Sequence, residues 1–224
     1  TGDEISAIHD FVHSGGGLFA LGECCDWEGT ATNLNQVVSP LGIHLNSDLI
    51  YDDTDNHDGL SDWPLIHEFA AHAVTESVQK VWYHDGCSLE VEDPAYKLGW
   101  GDDDSYVPSG QAAGPDDGMR RDRSGRGEPA QAAVRAGENL IGIAASEYGG
   151  GRLMVIGENW LMSSSDADED GTADIYQYDA ERLATNSVAW VCRCGEPDNR
   201  PPDVPSAPSP ADGATGMSRD ADLS

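Results

Sequence analysis

Carboxylate side chains recur at alternate positions in one short acidic stretch of the chain, residues 166–174. Asp166, Asp168, Asp170 and Asp174 occupy positions 1, 3, 5 and 9 of this stretch, and Gly171 occupies position 6. This is the spacing of a calcium loop, in which alternate side chains converge on one cation and glycine lets the backbone turn sharply. The stretch therefore predicts a cation-binding loop with a structural role.

Two further residues complete the predicted loop. The Thr172 carbonyl lies at position 7, and Gln177 lies at position 12, where helix-loop-helix sites carry a bidentate Glu. The loop therefore resembles the Asp-rich calcium repeats of secreted proteins, of the thrombospondin type 3 or dockerin kind, more than an intracellular sensor. The predicted calcium ligands are Asp166, Asp168, Asp170, Thr172, Asp174 and Gln177. An acidic, solvated loop is the alternative.

Histidine spacing and the other acidic turn do not predict a second metal site. His67 and His72 are five residues apart, which misses the i, i+4 spacing of a helical zinc pair. The acidic turn at residues 51–59 lacks the calcium spacing, so we predict that it is a solvated loop.

The chain is strongly acidic, with 41 Asp and Glu against 12 Lys and Arg and a formal net charge of -29. Such a surface repels nucleic acid and anionic membranes, so we expect neither as a partner. Acidic, lysine-poor surfaces are typical of proteins from salt-loving organisms, because high ionic strength screens the self-repulsion. No stretch approaches the ~20 apolar residues of a membrane span, so no membrane insertion is expected.

Whether the cysteines form disulfides depends on whether the protein is exported to an oxidising compartment. The five cysteines are Cys24, Cys25, Cys87, Cys192 and Cys194. None belongs to a CxxC pair, so they do not predict a zinc ribbon. In an oxidising compartment one or two disulfides can form, and the odd count leaves at least one thiol free or paired elsewhere.

The first quarter of the chain alternates predicted helices and strands. A capping box at residues 1–4 opens a helix that the glycines at 15–17 end. Residues 18–21 form a short apolar run typical of a buried parallel strand. A helix over 30–41 and a strand over 43–50 follow. A helix that leads into a buried strand is half of a crossover unit, so an earlier strand is expected upstream.

The middle of the chain is predicted to be less regular. Residues 63–72 predict a short helix, and residues 78–82 and 87–91 predict two antiparallel strands joined through the turn pair Asp85-Gly86. Residues 101–138 hold almost no apolar periodicity and predict a long irregular excursion. Its four arginines, which we expect to pair with surrounding acid, are Arg120, Arg121, Arg123 and Arg126.

Regular structure returns after this excursion. Residues 140–145 and 153–156 predict a hairpin around a glycine turn, and residues 180–191 predict a final helix. The side chains of that helix expected to face the core are Leu183, Val188 and Trp190.

Composition divides the chain into one domain and a tail. Residues 1–195 can bury a single core. Residues 196–210 are rich in Pro, Ser and Ala and predict an extended, disordered linker. Residues 211–224 resemble the opening of the immunoglobulin-like or fibronectin-like repeats of microbial surface proteins.

Four stretches in series resemble one known family. Residues 3–22, 69–75, 150–159 and 178–190 are similar, in this order, to class I glutamine-amidotransferase-like domains of the flavodoxin-like type, which occur as non-catalytic modules of surface and membrane-associated proteins. This resemblance implies an α/β fold with a flavodoxin-like parallel sheet flanked by helices. The antiparallel strands predicted at residues 78–82 and 87–91 would form an excursion from that sheet.

The resemblance places a cysteine where catalytic members carry their nucleophile. Cys24 lies in Gly22-Glu23-Cys24-Cys25-Asp26, but Asp26 replaces the second glycine of the Gly-x-Cys-x-Gly elbow. A carboxylate beside a thiol raises its pKa and weakens it as a nucleophile. Catalytic members also need a late His-Pro-Glu, whereas the last histidine here is His84. We therefore predict a buried or disulfide-bonded Cys24 and no catalytic residue.

The sequence as a whole predicts a non-catalytic accessory or binding module of an exported, halophilic, multidomain protein, secreted or at the cell surface and stabilised by calcium. A glycan, a peptide or a neighbouring domain is the expected partner, at the carboxyl-end crevice of the sheet. The alternative is part of a secreted hydrolase: either a thiol hydrolase that uses Cys24, or the accessory region of a secreted protease or nuclease.

Overall fold

The computed structural model of the protein describes residues 1–108, 133–137 and 140–194. The chain divides into two units, Thr1–Cys194 and Gly195–Ser224, and the described residues all belong to the first. The predicted linker, the predicted C-terminal repeat and the four clustered arginines lie outside the described residues.

Three α-helices are present in the described ranges: α1 (Gly2–His13), α2 (Thr30–Val38) and α3 (Ala180–Val191). All three predicted long helices are confirmed, because capping and apolar periodicity are local signals. The Thr1 amino group and Oγ1 donate to Glu4 Oε2 at 2.6 and 2.9 Å at the start of α1. None of these helices has the length and apolar character needed to cross a bilayer.

The strands of the described ranges are short. They are β1 (Gly17–Leu21), β2 (Ile43–Leu45), β3 (Leu65–Ile66), β4 (Glu68–Phe69), β5 (Val81–Trp82), β6 (Leu89–Val91), β7 (Ala95–Trp100), β8 (Tyr106–Pro108), β9 (Ala133–Ala136), β10 (Ile141–Tyr148) and β11 (Gly151–Ile156). Seven form one sheet in the order β1-β11-β10-β6-β2, with β7 also on β10 and β4 on β7. The pairs β3–β5 and β8–β9 stand apart.

The sheet is mixed, and this corrects the predicted parallel sheet. Among the described strands only β1 and β11 pair in parallel, and the other pairings are antiparallel. The α/β class is confirmed, whereas a flavodoxin-like parallel sheet is not. A tight turn at Gly149 and Gly150 joins β10 to β11, and so short a connection allows only antiparallel pairing.

Two local predictions in the middle of the chain are wrong. Residues 63–72 form the short strands β3 and β4 in place of a helix, because Leu65 and Ile66 pair with β5 and are buried. The predicted hairpin of β5 with β6 is absent from the described pairings, since β5 pairs with β3 while β6 pairs with β2 and β10. Tertiary pairing overrides local pattern in both cases.

Both faces of the sheet are covered by apolar side chains. Met154 and Ile156 of β11 belong to a core that includes Leu183 of α3, whereas their neighbours Leu153 and Val155 belong to a core on the other face with residues of α1 and α2. Alternation along β11 thus serves two cores. Leu183 and Trp190 are buried as predicted, but Val188 is 48% exposed, so its predicted core position is wrong.

Candidate metal centre

The loop at residues 166–174 brings three of its predicted ligands together. Asp166, Asp168 and Asp170 each present a carboxylate oxygen, and these oxygens lie within 4.8 Å of one another. The N–H groups of Asp170 and Gly171 each donate to Asp166, at 3.0 Å. Gly171 has a φ of +93°, so glycine permits the turn that the spacing requires.

Gln177, at position 12, reaches the same cluster. Its Nε2 donates to Asp168 Oδ2 at 3.4 Å and to Asp170 Oδ2 at 3.1 Å. Rotating this amide by 180° would direct its oxygen, in place of its nitrogen, toward the cation that the carboxylates are predicted to bind. Thr172 contributes its N–H, which donates to Asp170 Oδ1 at 2.7 Å.

Asp174 takes a different role from the other three carboxylates. Only 1% of the residue is exposed, and its Oδ1 accepts from the N–H of Ala167, within the loop, at 3.0 Å. Its Oδ2 is buried and has no hydrogen-bond partner among the described residues. Burial raises the pKa of Asp174, and the nearby Asp168 and Asp166 add to this effect. Oδ2 of Asp174 is thus available to accept a further bond.

His57, from a distant segment of the chain, hydrogen-bonds to the loop. The sequence analysis did not predict this contact. Its Nε2 lies 2.8 Å from Asp168 Oδ2, and its Nδ1 lies 2.9 Å from the Tyr178 hydroxyl. Burial acts to raise the pKa of Asp168, but the hydrogen bonds from His57 and the Asp170 N–H outweigh it, and the pKa is lowered. The Asp168 side chain, only 2% exposed, is thus held as a carboxylate.

The turn at residues 51–59, which supplies His57, is only in part the solvated loop predicted: Asp53, Thr54, Asp58 and Gly59 are exposed. Asp52 and His57 are buried. Asp52 Oδ1 accepts from the N–H groups of Thr54 and Asp55 at 2.8 and 2.7 Å, and Oδ2 accepts from Ser105 Oγ at 2.9 Å. These bonds tie the turn to a distant segment. In the sequence of this turn, the repeated aspartates and the histidine were the only local sign of these contacts.

Aromatic side chains pack against the loop. The His57 ring stacks on Trp82 with centroids 4.5 Å apart, and Trp82 contacts Trp63 at 5.1 Å. Ala167 of the loop packs against Trp63 and Trp82. His84 lies among these rings, 4.3 Å from Trp63, and its Nε2 lies 3.2 Å from an Asp85 oxygen. Such packing restricts the positions that Asp168 can adopt.

Cys24 does not have the surroundings of a nucleophile. It forms no disulfide, nor do the other four cysteines, and only 7% of Cys24 is exposed. Its hydrogen bond with Cys25, its burial and the charges of Glu23 and Asp85 all raise the pKa of the Cys24 thiol. No histidine hydrogen-bonds to it among the described residues. The predicted burial of Cys24 is confirmed.

Comparisons with known proteins bear on the fold. The structure is similar to the mmIFT52 N-terminal domain, with a TM-score of 0.58 and 16% identity over 85% of this chain and 71% of that one. It also matches the cytoplasmic protein STM1381 from Salmonella typhimurium LT2, with a TM-score of 0.49 and 12% identity over 84% of this chain and 60% of that one. No protein-family model and no curated protein matches the chain.

These findings correct the resemblance drawn from sequence. The solved structure that matches with a TM-score above 0.5 is named as a different domain, and the described sheet is mixed where a parallel one was expected, so the predicted membership is wrong. The four short stretches lie on common α/β elements, among them α1 with β1, β11 and α3. Helix and strand patterns of this kind recur in many unrelated families. At 16% identity, the likeness to the mmIFT52 domain shows a shared fold alone.

Proposed function

We propose that this chain is a non-catalytic accessory or binding module of an exported, salt-adapted multidomain protein, and that one calcium ion at residues 166–177 stabilises it. The observation that carries the proposal is the convergence of Asp166, Asp168 and Asp170 within 4.8 Å, with Gln177 against two of them. Calcium prefers about six to eight oxygen ligands, so waters would complete such a site.

Two features of the residues around the loop support the proposal of a bound cation. Asp174 has a buried acceptor with no partner among the described residues, and its other oxygen accepts from the N–H of Ala167, within the loop. The hydrogen bond from His57, and the aromatic side chains packed against the loop, fix the position of Asp168 before any ion binds. A site that is preorganised loses less conformational entropy on binding.

A concave surface elsewhere supports the binding role. An open cavity of about 480 Å³ lies over the segment that follows β4, and its polar lining includes His72, Thr75 and Glu76. His72 Nδ1 accepts from the Val74 N–H at 3.1 Å, and burial lowers the pKa of His72. A neutral imidazole beside apolar walls suits a glycan, a peptide or a neighbouring domain better than an anionic ligand.

Calcium titration with thermal unfolding in high salt tests the proposal. The wild type is expected to gain about 2.7 kcal/mol of stability at a hundredfold excess over the dissociation constant. The isosteric pair Asp166→Asn with Asp170→Asn should abolish that gain. The pair Asp10→Asn with Glu92→Gln, which removes the same charge from exposed positions, should keep it. An equal gain in both double variants would refute the calcium site.

A further inference from the structure

A second group of metal-ligating side chains lies apart from the proposed calcium ligands. Asp55, His67 and Asp102 each offer one ligand atom, and these atoms lie within 4.8 Å of one another. Asp55 belongs to the 51–59 turn, His67 lies between β3 and β4, and Asp102 follows β7. Only the tertiary structure brings these three segments together.

The His67 imidazole lies between two carboxylates that face different ring nitrogens. Nδ1 is 2.7 Å from Asp55 Oδ2, a short hydrogen bond, whereas Nε2 is 3.9 Å from Asp102 Oδ2. The second spacing is too long for a hydrogen bond. Two ligands of one tetrahedral ion, with bonds of about 2.0–2.2 Å, lie about 3.4 Å apart, so a small movement of either side chain would let both atoms bind one ion.

The bond from Asp55 has the layout found behind metal-binding histidines. A ligating imidazole usually donates its other N–H to a carboxylate, which fixes the tautomer and the ring orientation. Asp55 Oδ2 is placed to accept from Nδ1–H, which leaves the lone pair on Nε2 directed toward Asp102.

Negative charge is concentrated on the Asp102 side of the group. Ligand atoms of Asp52, Asp102 and Asp104 also lie within 4.8 Å of one another. Asp102 Oδ1 accepts from the N–H of Ser105 at 3.2 Å, and the Ser105 hydroxyl, whose one proton is shared with Asp52, lies 3.1 Å from it. Oδ2 is the Asp102 oxygen nearer to His67. A cation would relieve the repulsion within this group.

We propose that His67 Nε2 and Asp102 Oδ2 bind a divalent transition metal of the zinc class, with Asp55 as the positioning residue for the imidazole. An imidazole ligand favours zinc, copper or nickel, whereas calcium and magnesium prefer oxygen alone. The side chains of His67 and Asp102 are 34% and 22% exposed, so the ion has access from solvent and water fills its remaining positions. This site does not depend on the calcium loop.

Zinc titration of the full chain, saturated with calcium, tests the site by calorimetry and by imidazole ¹⁵N chemical shifts. One zinc ion should bind and shift the His67 Nε2 resonance. His67→Gln should weaken binding at least tenfold, and Asp55→Asn, which removes the orienting carboxylate, by about tenfold. His44→Gln, which changes an exposed imidazole held by Ser39, should leave binding unchanged.

Three results would overturn the zinc site: no zinc binding by the wild type, equal binding by His67→Gln, or a shift confined to another histidine. Asp166→Asn with Asp170→Asn separates the two proposals. That pair should remove the calcium effect and leave zinc binding intact, whereas His67→Gln should do the reverse.

Discussion

His57 Nε2 lies 2.8 Å from Asp168 Oδ2, although 111 residues separate them in the chain. The contact joins the acidic turn at 51–59 to the loop at 166–174, and both side chains are largely buried. Because Tyr178 holds the other ring nitrogen and Trp82 stacks on the ring, the imidazole fixes Asp168 in position. The proposed calcium ligand is thus held by tertiary structure as well as by its own loop.

The His57–Asp168 pair should be strongly coupled in stability. A double-mutant cycle with His57→Phe and Asp168→Ala should give a coupling energy of about 1.5–3 kcal/mol, because a buried hydrogen bond to a charged group is worth that much. The Asp55–His67 pair, whose side chains are each 34% exposed, should give about 0–1 kcal/mol without added metal. Urea unfolding measures both, and equal values would contradict the structural difference.

Replacing Gln177 by Glu should change stability in opposite directions with and without calcium. Without calcium the added charge faces Asp168 and Asp170 and should lower the melting temperature. With calcium the restored position-12 carboxylate should tighten binding on the order of tenfold. Gln79→Glu adds the same charge at an exposed position and serves as the control. A loop that binds no ion would show only destabilisation.

Glu158 should make the protein less stable as pH rises. Burial raises the pKa of Glu158 well above its ordinary value. Above about pH 4.5 the unfolded chain ionises this group while the folded chain keeps it protonated, so unfolding releases a proton. Stability should therefore fall by up to about 1.4 kcal/mol per pH unit, until the pH reaches the folded pKa.

Glu158→Gln should remove this contribution to the pH dependence. Chemical denaturation of both proteins from pH 4 to 8 in high salt isolates it, since the remaining acidic groups are common to both. Below about pH 4.5 the stability difference between them should stay constant with pH. Parallel curves across the whole range would mean that Glu158 ionises normally.

Cys24 should resist alkylation in the folded protein. It is buried, and its thiol pKa is raised, so little thiolate is accessible at neutral pH. Cys192 and Cys194 are exposed and should react with iodoacetamide within the same period. Mass spectrometry of peptides locates the label. Labelling of Cys24 as fast as that of Cys192 would revive the thiol-hydrolase alternative.

Opposite faces of α3 should differ in their sensitivity to truncation. Leu183 is fully buried, so Leu183→Ala should cost about 2–5 kcal/mol of stability through lost burial and a cavity. Val188→Ala should cost less than about 0.5 kcal/mol, because Val188 is 48% exposed. Denaturant midpoints measure both. Similar losses would place Val188 in an apolar contact that the described residues do not provide.

The sequence alone determined the features that depend on neighbours along the chain. Capping at Thr1 and Glu4 and the apolar spacing of α3 predicted these helices, and the glycines near 149 predicted the β10–β11 hairpin. The alternate carboxylates from Asp166 to Asp170 likewise predicted a turn in which they converge. Each of these signals acts within about one or two turns of backbone, where side-chain periodicity fixes which groups meet.

Only the tertiary structure decided which distant segments meet. Strand pairing is non-local, so the mixed sheet and the pairing of β3 with β5 were not evident from strand patterns. The same holds for His57 beside Asp168, which are 111 positions apart in sequence. It holds also for His67 between Asp55 and Asp102, which come from three separate segments. Burial of Asp52 depends on the same kind of contact, because the distant Ser105 hydroxyl supplies a donor to its Oδ2.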